Sequence, residues 1–375
     1  MKRAQRVLAF FGVSVYFNPS LIDPINFNPP RLINLEGPLA FNQLLNKSEI
    51  VKYKIRGGES IVFHDGSLYT GTHDGKIVKL FKDENLEFAK FSDKKCNKTY
   101  ECGRPLGIRL GEKSQNLYVV DAYFGLFRVS LHDGKHVKIF PTDEMNYPSV
   151  RFFNDFDILS EDKFIMTDSS SKFPYHQMIF NFIEASSLGK VLLVDVKKGT
   201  FQILADNLFF PNGVQLSKDK RYVYVAESGN NRILKLPIPS ETSDAFKGKV
   251  ELLVPHLPGI PDNIRESPRG GYWIALPHLS FSGNPGLMHH LSHYPRLRWI
   301  IHKLITPSLL YHLSASRSSM AIRVDENGNF LESLQIHDSG SHVNVAEVLE
   351  LKNGTMFFGS FYLPNVRRLD LSTLK

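Results

Sequence analysis

Apolar and polar positions in this chain alternate in short runs that return in a fixed order. In GGESIVFHDGSLYTGTHDGKIVKL, residues 57–80, an apolar strand leads to a polar turn, a β-rich strand, a second turn and a third strand. The same order returns in RPLGIRLGEKSQNLYVVDAYFGLFRVSL from 104, NDFDILSEDKFIMTDSSSKF from 154 and FPNGVQLSKDKRYVYVAESGNNRILKL from 210. It returns again in PDNIRESPRGGYWIALP from 261 and NVAEVLELKNGTMFFGSFYLPNVRRLDL from 344. The units start near Glu59, Gly107, Asn154, Asn212, Asp262 and Glu347, spaced by 47 to 58 residues except for a last spacing of 85. Sheet units recurring at roughly 40–50 residues predict a β-propeller, and six units predict six blades. The fold class is therefore all-β. A β-sandwich explains neither the repeat nor the polar residue at one phase of it. The long last spacing predicts an insertion in the fifth blade, whose return strand SMAIRVDENGNFLESLQI arrives only at 319. Residues Ile50 to Arg56 are predicted to pair with the last blade, closing the ring and removing its exposed edges.

The fifth-blade insertion carries a different periodicity. Leu297, Ile300, Ile301 and Leu304 fall at i, i+3, i+4 and i+7 in RLRWIIHKLITP, predicting an amphipathic helix over 296–306 that ends near Pro307. Arg296, Arg298, His302 and Lys303 form its basic side. Such a helix is either a lid packed over the channel mouth or a membrane-surface helix. A shorter aromatic insertion around Phe173 to Phe182 is expected to line the same pocket. The stretch HHLSHY, 289–294, lacks His-Glu-x-x-His spacing and reads as a solvated loop.

The chain opens on the basic segment MKRAQR, followed by an apolar run from Val7 to Phe17 broken by Gly12 and Ser14. That run is short of the ~18 apolar residues of a confident spanning helix. It is a signal region, an uncleaved signal-anchor or a buried first strand; the lack of a small-x-small cleavage site favours the anchor. The expected organisation is 1–22 for cytoplasmic basic residues and the hydrophobic segment, 23–49 for a linker with a short helix, and 50–375 for the propeller.

Composition narrows the function classes. The 375 residues are 42% hydrophobic and 22% charged, ample for a core, with a net charge of +7. The cations are scattered, and no finger, helix-turn-helix or RNA-binding signature occurs, so nucleic acid is not an expected partner. No Gly-x-Ser-x-Gly elbow, P-loop or Gly-x-Gly-x-x-Gly fingerprint occurs either. Two cysteines, Cys96 and Cys102, cannot build a structural zinc site. They are either a short-loop disulfide, which fits an oxidising compartment, or two reduced core thiols. Sequons start at Asn46, Asn97 and Asn353. With the N-terminus they point to the secretory pathway.

The polar residue at the start of each unit carries the chemistry. In a propeller the innermost strands line the central channel, and their starts converge at one end. Four starts carry Glu59, Asn154, Asn212 and Asp262, with Asp155 and Asn263 beside them. Buried oxygens need compensation, from hydrogen bonds or a cation. Two carboxylates and two amide oxygens, with no histidine or cysteine in phase, are a hard donor set that suits Ca²⁺ better than Mg²⁺. The competing account is that each Asn or Asp caps a turn.

CGRPLGIRL, LYVVDAYFGLFRV, NDFDIL, TDSSSKF, FPNGVQLS, PDNIR, GGYW and FFGSF together resemble the strictosidine synthase-like family of six-bladed propellers, from about Ile22 to the C-terminus. The resemblance extends distantly to the paraoxonases. It implies metal ligation by Glu59, Asn154, Asn212 and Asp262 with Asn263, and a paired Cys96 and Cys102. It further implies a single-pass type II membrane protein of the endoplasmic reticulum or plasma membrane, propeller outside the cytosol, with arylesterase activity. Two departures limit the transfer. The paraoxonase histidine falls on Leu106, and the glutamate of plant condensing enzymes falls on Glu347 in a chain that keeps the calcium ligands those enzymes lack. The expected function is calcium-dependent hydrolysis of a small ester, with Asp262 and Glu347 as candidate base or nucleophile. The alternatives are a non-catalytic binding propeller with structural Ca²⁺, or a condensing enzyme using Glu347. The expected membrane contacts are the N-terminal segment and the 296–306 helix.

Overall fold

The strand repeat closes into a ring of six four-stranded antiparallel sheets in a computed structural model of the chain. The structure describes residues 19–374 apart from 52–54, 82–83, 93–94, 112–114, 143–150, 240–248, 315–316 and 338–343. The N-terminal basic and apolar run lies outside the described residues.

Each blade begins with a strand at the channel. These are Ile61–His64, Pro105–Leu110, Phe153–Ser160, Pro211–Leu216, Ile264–Glu266 and Glu347–Glu350. The sixth blade is completed by Glu49–Val51, which pairs antiparallel with Val366–Asp370. The expected clasp therefore forms, with its pairing centred on Ile50 opposite Arg367.

Period-2 alternation explains why the blades stack. In Tyr222–Glu227, Val223 and Val225 point into a cluster shared with Ile165, Val191 and Leu193 of the third blade. Tyr224 and Ala226, the alternate residues, enter a second cluster with Ile264, Tyr272 and Ile274 of the fifth. Trp273 and Ala275 face onward, onto Val348, Met356 and Phe358 of the sixth. Both faces of these strands are buried, so the core is a series of inter-blade layers rather than one central mass.

Insertions build the rim. The third blade carries a helix, Met178–Glu184. The fifth carries three, Leu287–Leu291, Pro295–Leu304 and Pro307–Ser314. His289 and His290 thus lie in a helix rather than the expected loop. The segment before the clasp runs as an extended strap with two 3-10 turns, Gly37–Leu39 and Leu44–Lys47. Leu39 and Leu45 bury themselves against the fifth and sixth blades. Cys96 and Cys102 are disulfide-bonded, which resolves the two cysteine readings.

The helix Pro295–Leu304 corrects an expectation. Its register is as the periodicity predicts, but the basic side is not uniformly solvated. Arg298, one of the four basic-side residues, is fully buried, while Leu297, Ile300 and Leu304 of the apolar side are exposed and Ile301 packs against the cluster beneath the lid. The reason is a set of carbonyls. The Arg298 guanidinium donates to Ile183 O at 2.6 Å, to Ser292 O at 3.2 Å and to Ile25 O, and lies 5.3 Å from the Phe27 ring centroid. It fastens the lid helix to the strap and to the end of Met178–Glu184.

The clasp has a testable anchor. Arg367 donates through Nε to Ser48 Oγ at 2.8 Å and through Nη2 to Ser48 O at 2.6 Å. Removing a charged donor pair of this kind costs about 1.5–3 kcal/mol. Arg367→Ala is expected to lower stability by that amount in urea titration, while an exposed change such as Arg221→Ala stays within experimental error.

Candidate functional site

Four of the five residues singled out as ligands meet at the floor of one cavity of about 590 Å³: Glu59, Asn154, Asn212 and Asp262. Beta-bulges aim them there. The innermost strand pairings slip between Phe153 and Phe156 and between Pro211 and Val214, so Asn154 and Asn212 each fall in the irregular step. A bulge locally re-aims a side chain that regular pleating would send to a neighbouring blade. The second blade has the same slip between Pro105 and Ile108 and presents Leu106 to the cavity there. Gly213 permits the close approach of adjacent blades: a Cβ on it would lie 2.5 Å from Asn263 Cα.

Serines set the orientation of both amides. Asn154 Nδ2 donates to Ser169 Oγ at 3.1 Å, and that hydroxyl donates to Pro211 O of the next blade at 2.6 Å. Asn212 Nδ2 donates to Ser228 Oγ at 3.3 Å, and Ser228 donates to Pro261 O at 2.5 Å. Each amide nitrogen is thus committed to a relay between blades. The Oδ1 atoms of Asn154 and Asn212 are left buried with no hydrogen-bond partner among the described residues. Asn263, immediately after Asp262, is also buried; its Oδ1 and Nδ2 have no partner there either. Its side chain is not part of the cavity lining.

The electrostatics of the floor are unbalanced. Burial raises the Glu59 carboxyl to about 7, against the pull of Arg104. Arg104 Nη2 contacts Glu59 Oε2 at 3.1 Å, and its other bonds go to carbonyl oxygens of Gly57, Pro105 and Phe361. Asp262 is pushed well above the usual carboxylate range by burial and by the charge of Glu59. Of the two carboxylates, Glu59 alone has a contacting guanidinium among the described residues. Among the described residues no group of three or more His, Cys, Asp or Glu gathers as a metal centre. This floor has two carboxylates, and its remaining donors are amide oxygens.

Deeper in the channel the carboxylates are paired with arginines. Arg265 Nη1 lies 2.8 Å from Asp155 Oδ2, and Arg265 Nη2 lies 2.7 Å from Glu347 Oε2. Arg109 Nη2 reaches Asp155 Oδ2 at 3.1 Å. Burial pushes Asp155 up, but Arg109 and Arg265 outweigh it and hold its carboxyl below the ordinary value. Burial raises Glu347, with Arg265 opposing. Glu347 is therefore held in an ion pair and does not line the cavity.

Sequence reasoning missed Arg104, Arg265, Ser169 and Ser228. A signal existed for the serines. Asp168-Ser169, Glu227-Ser228 and Gly359-Ser360 end the second strand of three blades at one phase. The cavity walls are apolar, with Phe152, Tyr175, Phe182, Phe209 and Phe210 prominent. Tyr175 and Phe182 bear out the expectation for the shorter insertion, whereas Phe173 packs beneath the lid instead.

Arg265 offers a direct test of the deeper layer. Removing one partner from a buried ion-pair network costs about 3–5 kcal/mol because it leaves uncompensated charge. Arg265→Ala is expected to lose that much stability in denaturant unfolding. Adding Asp155→Asn and Glu347→Gln to Arg265→Ala should restore part of it, since the stranded charges are then gone.

Comparison with known proteins places this arrangement. Residues 154–241 match the strictosidine synthase family model, and residues 37–80 match that of the strictosidine synthase-like N-terminal region. The rat adipocyte plasma membrane-associated protein is 35% identical over 95% of this chain and 94% of its own length. Among solved structures, a gluconolactonase from Xanthomonas campestris superposes with a TM-score of 0.54 at 15% identity, covering 94% of this chain and 99% of its own. Regucalcin from Agrobacterium tumefaciens, a calcium-binding protein, gives 0.53 at 13%, covering 86% of this chain and 92% of its own. These structures share the propeller fold. Relatives are named as membrane-associated, while no described helix is long and apolar enough to cross a membrane. On sequence identity, extent of coverage and matched motifs, the chain belongs to the strictosidine synthase-like family, alongside the adipocyte plasma membrane-associated proteins.

Proposed function

We propose that this protein is a calcium-dependent hydrolase of small apolar esters, arylesterase-like in its preference. The observation that carries this reading is the cavity floor. Two buried carboxylates, Glu59 and Asp262, stand with two buried amide oxygens that have no hydrogen-bond partner among the described residues. The oxygen donors and excess negative charge suit a hard divalent cation that tolerates irregular coordination, which Ca²⁺ does. Glu59, Asn154, Asn212 and Asp262 would hold it, with Asn263 adjoining. A calcium ion bound there supplies Lewis acidity toward an ester carbonyl or phosphoryl oxygen. The calcium-binding regucalcin and the gluconolactonase of the same fold support the class of chemistry.

The chain's own residues have distinct parts in this reading. Asp262 faces the cavity and takes the proton from an attacking water, or attacks the carbonyl itself. Arg104 holds one oxygen of Glu59 and leaves the other to the floor. Glu347 acts through Arg265, whose hold on Asp155 steadies the inner strand of Asn154. The aromatic wall excludes water and receives the acyl or aryl body of the substrate. A binding propeller with structural Ca²⁺ is the rival reading, and the absence of a histidine at Leu106 is what favours it.

The same reading places the protein in the secretory pathway, with the basic and apolar N-terminal run as signal-anchor and the propeller on the luminal or extracellular side. The disulfide supports this, and Asn46, Asn97 and Asn353 are all exposed, as glycan acceptors must be. The expected result of glycosidase treatment of cell-expressed protein is a gel shift that Asn46→Gln, Asn97→Gln and Asn353→Gln together abolish.

The decisive experiment is hydrolysis of an aryl acetate by the purified full chain, as isolated, after EDTA, and after Ca²⁺ is restored. Turnover should vanish with EDTA and return with Ca²⁺. Asp262→Ala should lose at least about a hundredfold, the usual scale of a general base, and remain folded in thermal melts. Absent turnover, with Ca²⁺ raising only the melting temperature, would leave the ion structural and sink the hydrolase reading; turnover indifferent to EDTA and to Asp262→Ala would sink its calcium-dependent mechanism.

A further inference from the structure

We propose that the exposed face of the fifth-blade insertion docks on an anionic lipid bilayer and sets the cavity mouth against the lipid. The inference begins with the exposed apolar residues of the lid helix. Leu297, Ile300 and Leu304 lie on successive turns of one face of Pro295–Leu304 and are 43%, 42% and 60% exposed. The same helix buries a guanidinium, Arg298, completely. A helix folded to suit water would show the opposite arrangement.

The apolar surface continues around the helix. Leu287, Tyr294 and Leu309 on the neighbouring insertion segments are exposed, as are Leu21 and Ile25 on the strap. The strap is bound to this lid. Ile22 packs with Phe180, Ile183 and Leu310, and Ile25 O accepts from Arg298. Exposed apolar side chains gathered on segments that pack against one another mark a site of interaction.

Charge selects a bilayer surface as the occupant. The chain has no Asp or Glu from Ser267 to Val324, while the insertion carries Arg296, Lys303 and Arg317, so its charge complements an anionic headgroup layer.

Docking has a consequence for substrate. Leu287 and Arg317 are exposed and also line the cavity, which places them at its mouth. A docked insertion opens the aromatic cavity toward the lipid rather than toward bulk water. The substrate class this favours is an amphiphilic ester that partitions into the bilayer. This last step rests on the hydrolase reading; the docking does not, and its test measures no turnover.

The two tryptophans make the test specific. Trp273 is fully buried in the blade core, and Trp299 lies on the docking helix beside Ile300. Full-length protein is mixed with phosphatidylcholine–phosphatidylserine vesicles containing brominated acyl chains, and tryptophan emission is followed. The expected result is quenching that Trp299→Phe abolishes. The triple change Leu297→Ser, Ile300→Ser, Leu304→Ser should raise the lipid concentration needed for half-maximal quenching by at least about tenfold. Leu86→Ser, Val137→Ser and Leu252→Ser, equally exposed but on outer blade strands, should leave it unchanged. Replacing phosphatidylserine by phosphatidylcholine should raise it as well. Vesicle-bound protein whose tryptophan emission is unquenched would mean that the N-terminal run alone attaches, and would overturn the proposal. Failure to bind vesicles, or equal quenching in the triple variant, would overturn it too.

Discussion

Everything at the axis of this propeller depends on how buried charge is compensated. Six strand starts converge there, and the chain places four carboxylates in the channel: Glu59, Asp155, Asp262 and Glu347. Arg265 answers two of them. It comes from the fifth blade and grips Asp155 of the third and Glu347 of the sixth, so one side chain cross-links three blades. Arg109 adds a second contact to Asp155 and also lies 3.8 Å from Asp157 Oδ1, so each carboxylate of the deeper layer has an arginine partner. In the upper layer Arg104 contacts Glu59, while Asp262 has no contacting cation among the described residues. The difference between two adjacent layers of one channel separates scaffold from site.

The relay of serines shows how the scaffold prepares the site. An asparagine amide has two ends, and a hydrogen bond from its nitrogen fixes which way its oxygen points. Ser169 and Ser228 occupy it, and each also donates to the backbone of the next blade. The hydrogen bonds that align neighbouring blades therefore also orient the amides. Stability and site geometry share the same bonds, which is economical in a ring whose blades otherwise meet through apolar layers. The strap and lid extend this coupling to the rim. Arg298 ties three separate segments through carbonyl oxygens, and the helix that carries it turns its leucines outward as a result.

Much of this was legible in the linear chain. The strand–turn repeat determined six blades, because sheet units of that length bury their faces only against copies of themselves. The last spacing determined which blade carries the insertion, and the phase of Glu59, Asn154, Asn212 and Asp262 determined that polar groups meet at one end of the axis. The period of the insertion determined a helix at Pro295–Leu304. Each of these is a local property: alternation and turn chemistry act between residues close in sequence. Tertiary structure alone decided the rest. Which way the helix faces depended on carbonyls supplied by Ile25 and Ile183, far away in the chain. Whether Glu347 faces the cavity or an ion pair depended on an arginine from another blade. The free amide oxygens of Asn154 and Asn212 depended on bulges and on serines of the neighbouring strands. Burial, and the charge compensation it demands, belongs to residues that meet only when the ring closes, and no pattern along one strand records it.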